Sequence, residues 1–204
     1  MTSAVEPAAE RYDVRTIVGG GVKLGLVTVV AVVVFALMSR ALDGAAETIV
    51  QSLIVLTGGV LASYLPALWV QPRGADTVAW AALVGLLGAL VFTLLDTVLL
   101  RPFGVYHWTW DAIGGGSGFW YIPVWWMGSA LLAWLGAWVA AIVGSARGTV
   151  SVMAAAGRTL AVAVLVFLVL VLVRLAPPTP AVVALAFAIA LVFSVPLAVV
   201  LTRR

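Results

Sequence analysis

Residues 77–100 read TVAWAALVGLLGALVFTLLDTVLL and run directly into Arg101-Pro102. The stretch holds one ionisable side chain, Asp96, and it stands near the end. A bilayer core about 30 Å thick is crossed by roughly 20 apolar residues in a helix. Apolar residues fill every face of such a helix rather than one stripe, so no face is left for water. The period-2 alternation of a barrel strand is missing from the run. In hydrocarbon, each backbone N–H and C=O must be bonded inside the segment, which makes the stretch a membrane helix.

Outward from it, five more stretches read the same way. The six spans are predicted near 18–38, 48–70, 77–100, 119–143, 158–175 and 181–202. Breaking sequences separate them: Ser39-Arg40 to Asp43-Gly44, then Gln71-Pro72-Arg73-Gly74, then Arg101-Pro102, then Gly144 to Gly157, then Pro177-Pro178-Thr179-Pro180. The expected fold is therefore an all-α polytopic membrane protein. Residues 1–15 are a short polar cytoplasmic tail, and 16–204 form one six-helix bundle. The first apolar run is long and lacks a small-residue cleavage site, so it is expected to stay as an anchor. Short connections make successive helices antiparallel neighbours.

The composition agrees. Of 204 residues, 64% are hydrophobic and 9% charged, with a mean hydropathy of +1.21. Soluble domains carry about 25% charged residues, which argues against a soluble enzyme or a nucleic-acid-binding domain. Positive residues set the orientation. With the N-terminus inside, the cytoplasmic side carries Arg11, Arg15, Lys23, Arg73, Arg147, Arg158, Arg203 and Arg204, and the outer side only Arg40, Arg101 and Arg174. Both termini are then expected in the cytoplasm. Ten arginines against one lysine suggest a GC-rich bacterial genome and a bacterial cytoplasmic membrane.

Little chemistry is available. Without cysteine there is no thiolate metal site and no cysteine nucleophile. A single histidine, His107, excludes a multi-histidine metal centre or a bis-histidine haem within the chain. The eight acids are dispersed, so no paired-carboxylate magnesium site is expected. Asp96 is the acid set deepest in a span; an intramembrane carboxylate is a functional candidate, and Arg101, about one turn away, offers it a simple ion pair. Gln51, Thr57, Ser63 and Thr93 would be a thin lining for a pore. Small residues four apart, at Gly21/Gly25, Ala81/Gly85/Ala89 and Ala133/Ala137/Ala141, predict close helix contacts. Val162 to Val173 has no such row after Ala163 and is expected to face lipid or an apolar partner.

One region departs from the rest. Between spans three and four, RPFGVYHWTWDAIGGGSGFWYIPVWW covers 101–126, and seven of the nine tryptophans fall between 108 and 138. One reading is an interfacial belt, the rings buried at headgroup level and their N–H groups wet. The other is a recognition surface facing outward, built from Arg101, Tyr106, His107, Trp108, Trp110, Asp111, Trp120, Tyr121, Trp125 and Trp126 and continued into span four by Trp134 and Trp138. His107 and Asp111 share one face if 105–112 is helical. Gly115-Gly116-Ser117-Gly118 is similar to the GxSG motif of rhomboid intramembrane proteases. The resemblance covers four residues, and those enzymes need a sixth-span histidine that 181–202 does not supply; a serine without a positioned base is no nucleophile.

These readings favour a non-catalytic membrane subunit or interaction protein. Its outer loop and fourth helix would meet other membrane subunits, a second copy, membrane lipid, or a quinone- or carotenoid-like molecule. No metal and no resident cofactor are expected. The alternative is a small carrier or membrane enzyme for a lipid-like substrate, using Arg101, His107 and Asp111.

Overall fold

A computed structural model describes residues 14–71, 75–106, 121–145 and 151–202. The described residues are helical, with no strand among them. The helices are α1 (Val14–Ala41), α2 (Gly44–Val70), α3 (Ala75–Leu95), α4 (Tyr121–Ser145), α5 (Val152–Leu172) and α6 (Pro180–Thr202), and α3 is prolonged by a π-helical turn, Asp96–Leu100. Six of these segments are long and apolar enough to cross a membrane, so this is a multi-pass membrane protein by length and composition.

The bounds differ most from the sequence reading at α5. It starts at Val152 rather than near 158 and its regular part stops at Leu172. Ala154, Ala155 and Ala156 are strong helix formers, and they carry the helix back through Gly157. Arg158 therefore sits within the helix rather than at its start. At the other end Arg174 turns left-handed, with φ of 59°, and the chain leaves the helix before the prolines.

Hydrophobicity gives no drive for helices to associate in lipid, so close packing has to hold them. The glycines show where it does. A Cβ added at Gly21 would lie 2.5 Å from Leu87 Cβ, and one at Gly25 would lie 2.9 Å from the Gly88 carbonyl. These two positions seat α1 on α3. At Gly85 the same atom would meet the Ser129 carbonyl at 2.5 Å, which seats α3 on α4. Ala81, Ala133 and Ala137 are fully buried along these seams. α5 lies at the edge, packed mainly on α6, and exposes Leu165, Leu168, Val169 and Leu172.

Hydrogen bonds tie both halves of the bundle. In one half Tyr64 of α2, Thr159 of α5 and Ser194 of α6 form a buried hydroxyl chain. The Tyr64 and Thr159 oxygens are 2.6 Å apart, and Thr159 donates to Ser194 at 3.0 Å. Buried hydroxyls in a membrane interior are costly unless they find partners, and these three satisfy one another across three helices. Gln51 on α2 donates to Ser39 on α1 at 2.8 Å and to Glu47 at 2.7 Å, at the opposite end.

Candidate functional site

That opposite end, where α1 and α3 finish and α2, α4 and α6 begin, carries most of the polar contacts. Asp96 is 1% exposed. Its carboxylate accepts from Arg101 Nε at 2.9 Å and from the Tyr106 hydroxyl. The π-turn makes the first contact geometrically ready. In an α-helix, residues five apart point about 140° away from each other. The backbone here bonds Arg101 N to Asp96 O at 3.0 Å, the i→i+5 pattern that widens the turn and brings the two side chains together.

The following turn is held from outside as well. Arg40, at the last turn of α1, donates through Nη2 to the Gly104 and Val105 carbonyls, both at 2.9 Å. Gly104 has a φ of 59°, a conformation that costs a side-chain-bearing residue about 1 kcal/mol or more. On α4, Trp126 Nε1 donates to Thr93 Oγ1 at 3.1 Å. Thus α1, α3 and α4 converge on one polar corner, and the buried Asp96 carboxylate is engaged by a cation and a phenol.

Tyr106 lies beyond the membrane span. Burial, followed by its bond to the Asp96 carboxylate and that carboxylate's charge, raises its pKa well above the ordinary value of 10.0; Arg101 opposes this weakly. A phenol whose folded pKa is raised contributes stability that is complete below its unfolded pKa, about 10, and is lost as pH climbs through the folded value. Thermal melts of the native protein should therefore fall off above about pH 10. Tyr106→Phe should start from a lower melting temperature and lose less over that range. Equal alkaline losses in both proteins would show that Tyr106 does not report on folding.

Beneath this corner, in the same half of the bundle, is an apolar cavity of about 550 Å³. Five helices line it and leave it partly open: Phe35 comes from α1, Ile54 from α2, Phe92 from α3, Trp125 and Leu132 from α4, and Phe187 from α6. Thr28 and Ser129 bring hydroxyls to it, and none of its lining residues is ionisable. Thr28 bonds its own helix, to the Leu24 carbonyl at 2.9 Å.

The sequence-predicted site residues are therefore distributed. Arg101, Tyr106 and Asp96 come together. Trp125 lines the cavity, and Trp126 locks α4 to α3. Trp134 and Trp138 pack edge to face with ring centres 6.1 Å apart, and the rest of their face is open: Met127 is 71% exposed and Leu131 52%. His107, Trp108, Trp110, Asp111, Trp120 and the Gly115–Gly118 run lie outside the described residues, as does the side chain of Tyr121. Of the four polar side chains weighed as a pore lining, Gln51, Ser63 and Thr93 are engaged in bonds to helix neighbours or across helices.

Comparison with protein families, with characterised proteins and with solved structures finds no match to this chain.

Sequence reasoning passed over Arg40, the Tyr64–Thr159–Ser194 chain and the cavity. Arg40 had a signal, being a cation in the last turn of α1. The cavity had none, because its walls are the same Ala, Val, Ile and Phe that fill the rest of the spans.

Proposed function

We propose that this protein is a non-catalytic membrane protein that holds a single hydrocarbon chain, from an acyl lipid or an isoprenoid, among its helices. The supporting observation is the cavity of about 550 Å³ with no ionisable residue in its lining. A pocket of this size suits one small apolar ligand. Empty, it would forfeit dispersion contacts along its walls. Water needs two to four polar partners to reside in such a space, and the two hydroxyls are too few to fill it. Hydrocarbon is the remaining occupant, and the bilayer surrounds the protein with it.

In this reading both termini face the cytoplasm, following the arginine asymmetry, and the cavity lies in the outer half of a bacterial inner membrane. Arg40, Arg101 and the aromatic segment after it then stand at the outer headgroup level, where they meet the polar end of the ligand or a partner subunit. The engagement of Arg101 by Asp96 supports a strut rather than a catalytic group, and so favours holding over turnover.

Ala184→Trp combined with Ala188→Trp would fill the α6 wall of the cavity, one turn apart. Native mass spectrometry of protein released from mild detergent should show lipid or isoprenoid adducts on the native chain and almost none on the double variant, with both melting alike. A native chain that carries no apolar adduct under conditions that preserve its fold would refute the proposal.

A further inference from the structure

We infer that the seam between α1 and α2 is the passage through which a bilayer hydrocarbon chain reaches the cavity. The inference rests on the chain-holding role proposed above and adds the route. A second void, a groove of about 530 Å³, runs along the surface between these two helices and is lined by them alone. Leu26, Val30, Val34 and Leu53, all exposed, form its rim. The groove and the cavity share five wall residues: Val27 and Ala31 from α1, and Ile54, Gly58 and Leu61 from α2. Surface and interior are thus separated at the seam by one layer of residues, and at Gly58 that layer has no side chain.

Packing at the seam is loose where the two voids meet. A Cβ added at Gly58 meets no atom within 4 Å, whereas one at the adjacent Gly59 would press on the Phe187 ring at 3.0 Å. α1 is anchored away from this point. Gly21 and Gly25 seat one half of it on α3. Arg40 ties its end to the 104–105 backbone, and Gln51–Ser39 closes the end of the seam. The middle is left to open by small displacements of Val27, Ala31, Ile54 and Leu61.

The chemistry of the groove names its occupant. Thr57 carries the one polar side chain in its lining, and the groove spans the central turns of two membrane helices, at the depth of the hydrocarbon core. A charged headgroup is excluded there by the cost of desolvation. An acyl chain already lies there. It passes sideways into the cavity without entering water, while its headgroup stays at the interface.

The native chain has no cysteine, so two can be introduced cleanly. Val30→Cys and Leu53→Cys both face the groove, and neither position lines the cavity. A short bis-thiosulfonate staple, which forms a reducible disulfide with each cysteine and releases sulfinate, would close the seam and leave the cavity volume unchanged. Protein in nanodiscs would be mixed with vesicles of phosphatidylcholine bearing a photoreactive diazirine on the acyl chain. Crosslinks to Phe187, which is buried on α6 and lines the cavity, would then be followed over time by mass spectrometry. The unstapled variant should label Phe187 as the native protein does. The stapled form should label it about tenfold more slowly, and reduction should restore the rate. Equal rates with and without the staple would overturn the passage and leave the holding role standing. Failure of the native protein to label Phe187 at all would overturn the holding role itself. If the double cysteine variant does not fold, Thr57→Trp provides the second test, since Thr57 lines the groove and not the cavity. It should slow labelling of Phe187 while leaving the labelling of Leu53 on the rim unchanged; unslowed Phe187 labelling in a folded Thr57→Trp protein would also overturn the passage.

Discussion

Gly136→Ala should cost the fold roughly 3 kcal/mol and lower its melting temperature by on the order of 10 °C. Gly136 is buried on α4, and the methyl carbon of alanine would fall onto the Ser63 carbonyl oxygen of α2, well inside any real contact. Ser63 Cβ stands next to it at 3.0 Å. Both obstacles belong to or adjoin backbone inside a helix, so no rotamer change relieves them. The helices must separate, and separation removes contacts along the whole seam, where Tyr64, Ala67, Ala137 and Ala140 form the centre of the larger core. Alanine's better helix propensity, about 1 kcal/mol, offsets only part of this. Gly128→Ala supplies the control on the same helix. An added Cβ there meets nothing within 4 Å, so that substitution should leave stability unchanged or raise it. Thermal melts in one detergent, paired with size-exclusion profiles, compare the two. Similar melting of both variants would mean that α2 and α4 do not pack at the Gly136–Ser63 contact.

Asp96→Leu should loosen the 101–106 turn, at a cost of about 2 kcal/mol. The carboxylate is the acceptor shared by Arg101 and Tyr106, and leucine offers neither of them an oxygen. The cost stays moderate because the Arg101 side chain is 37% exposed and can turn towards water. Asp96→Asn should lose less, since its carbonyl still accepts from Tyr106 while the ion pair weakens. Combining Asp96→Leu with Tyr106→Phe should cost less than the two single losses added together, because both remove the same bond. Amide hydrogen exchange over 101–106 provides the local measurement, with a rise expected in the order native, Asn, Leu. If Asp96→Asn keeps native exchange and melting but sheds the bound hydrocarbon, the acid serves the ligand and not the turn.

The partners of Asp96 mark how far a one-dimensional reading reaches. That Asp96 would pair with Arg101 followed from two opposite charges a turn apart near a span end. That the turn is a π-turn, and that Tyr106 comes back to the same carboxylate, depended on the path of the chain after Pro102. The small-residue rows at Gly21/Gly25 and Ala81/Gly85/Ala89 were legible as contact faces. Which helix each face meets was not, because a glycine row states that a backbone approaches but not whose. Gly136, the tightest of these contacts, belongs to none of the rows picked out in the sequence.

Sequence alone determined the solvent, the helical class and the number of spans, since in lipid an apolar run of sufficient length has only one way to satisfy its backbone. It also located the aromatic segment and the scarcity of ionisable groups. Tertiary structure decided what the apolar residues do. The same valines, alanines and phenylalanines face lipid, fill a seam or wall a cavity depending on how six helices are set against each other, and in hydrocarbon no difference in polarity distinguishes those three fates.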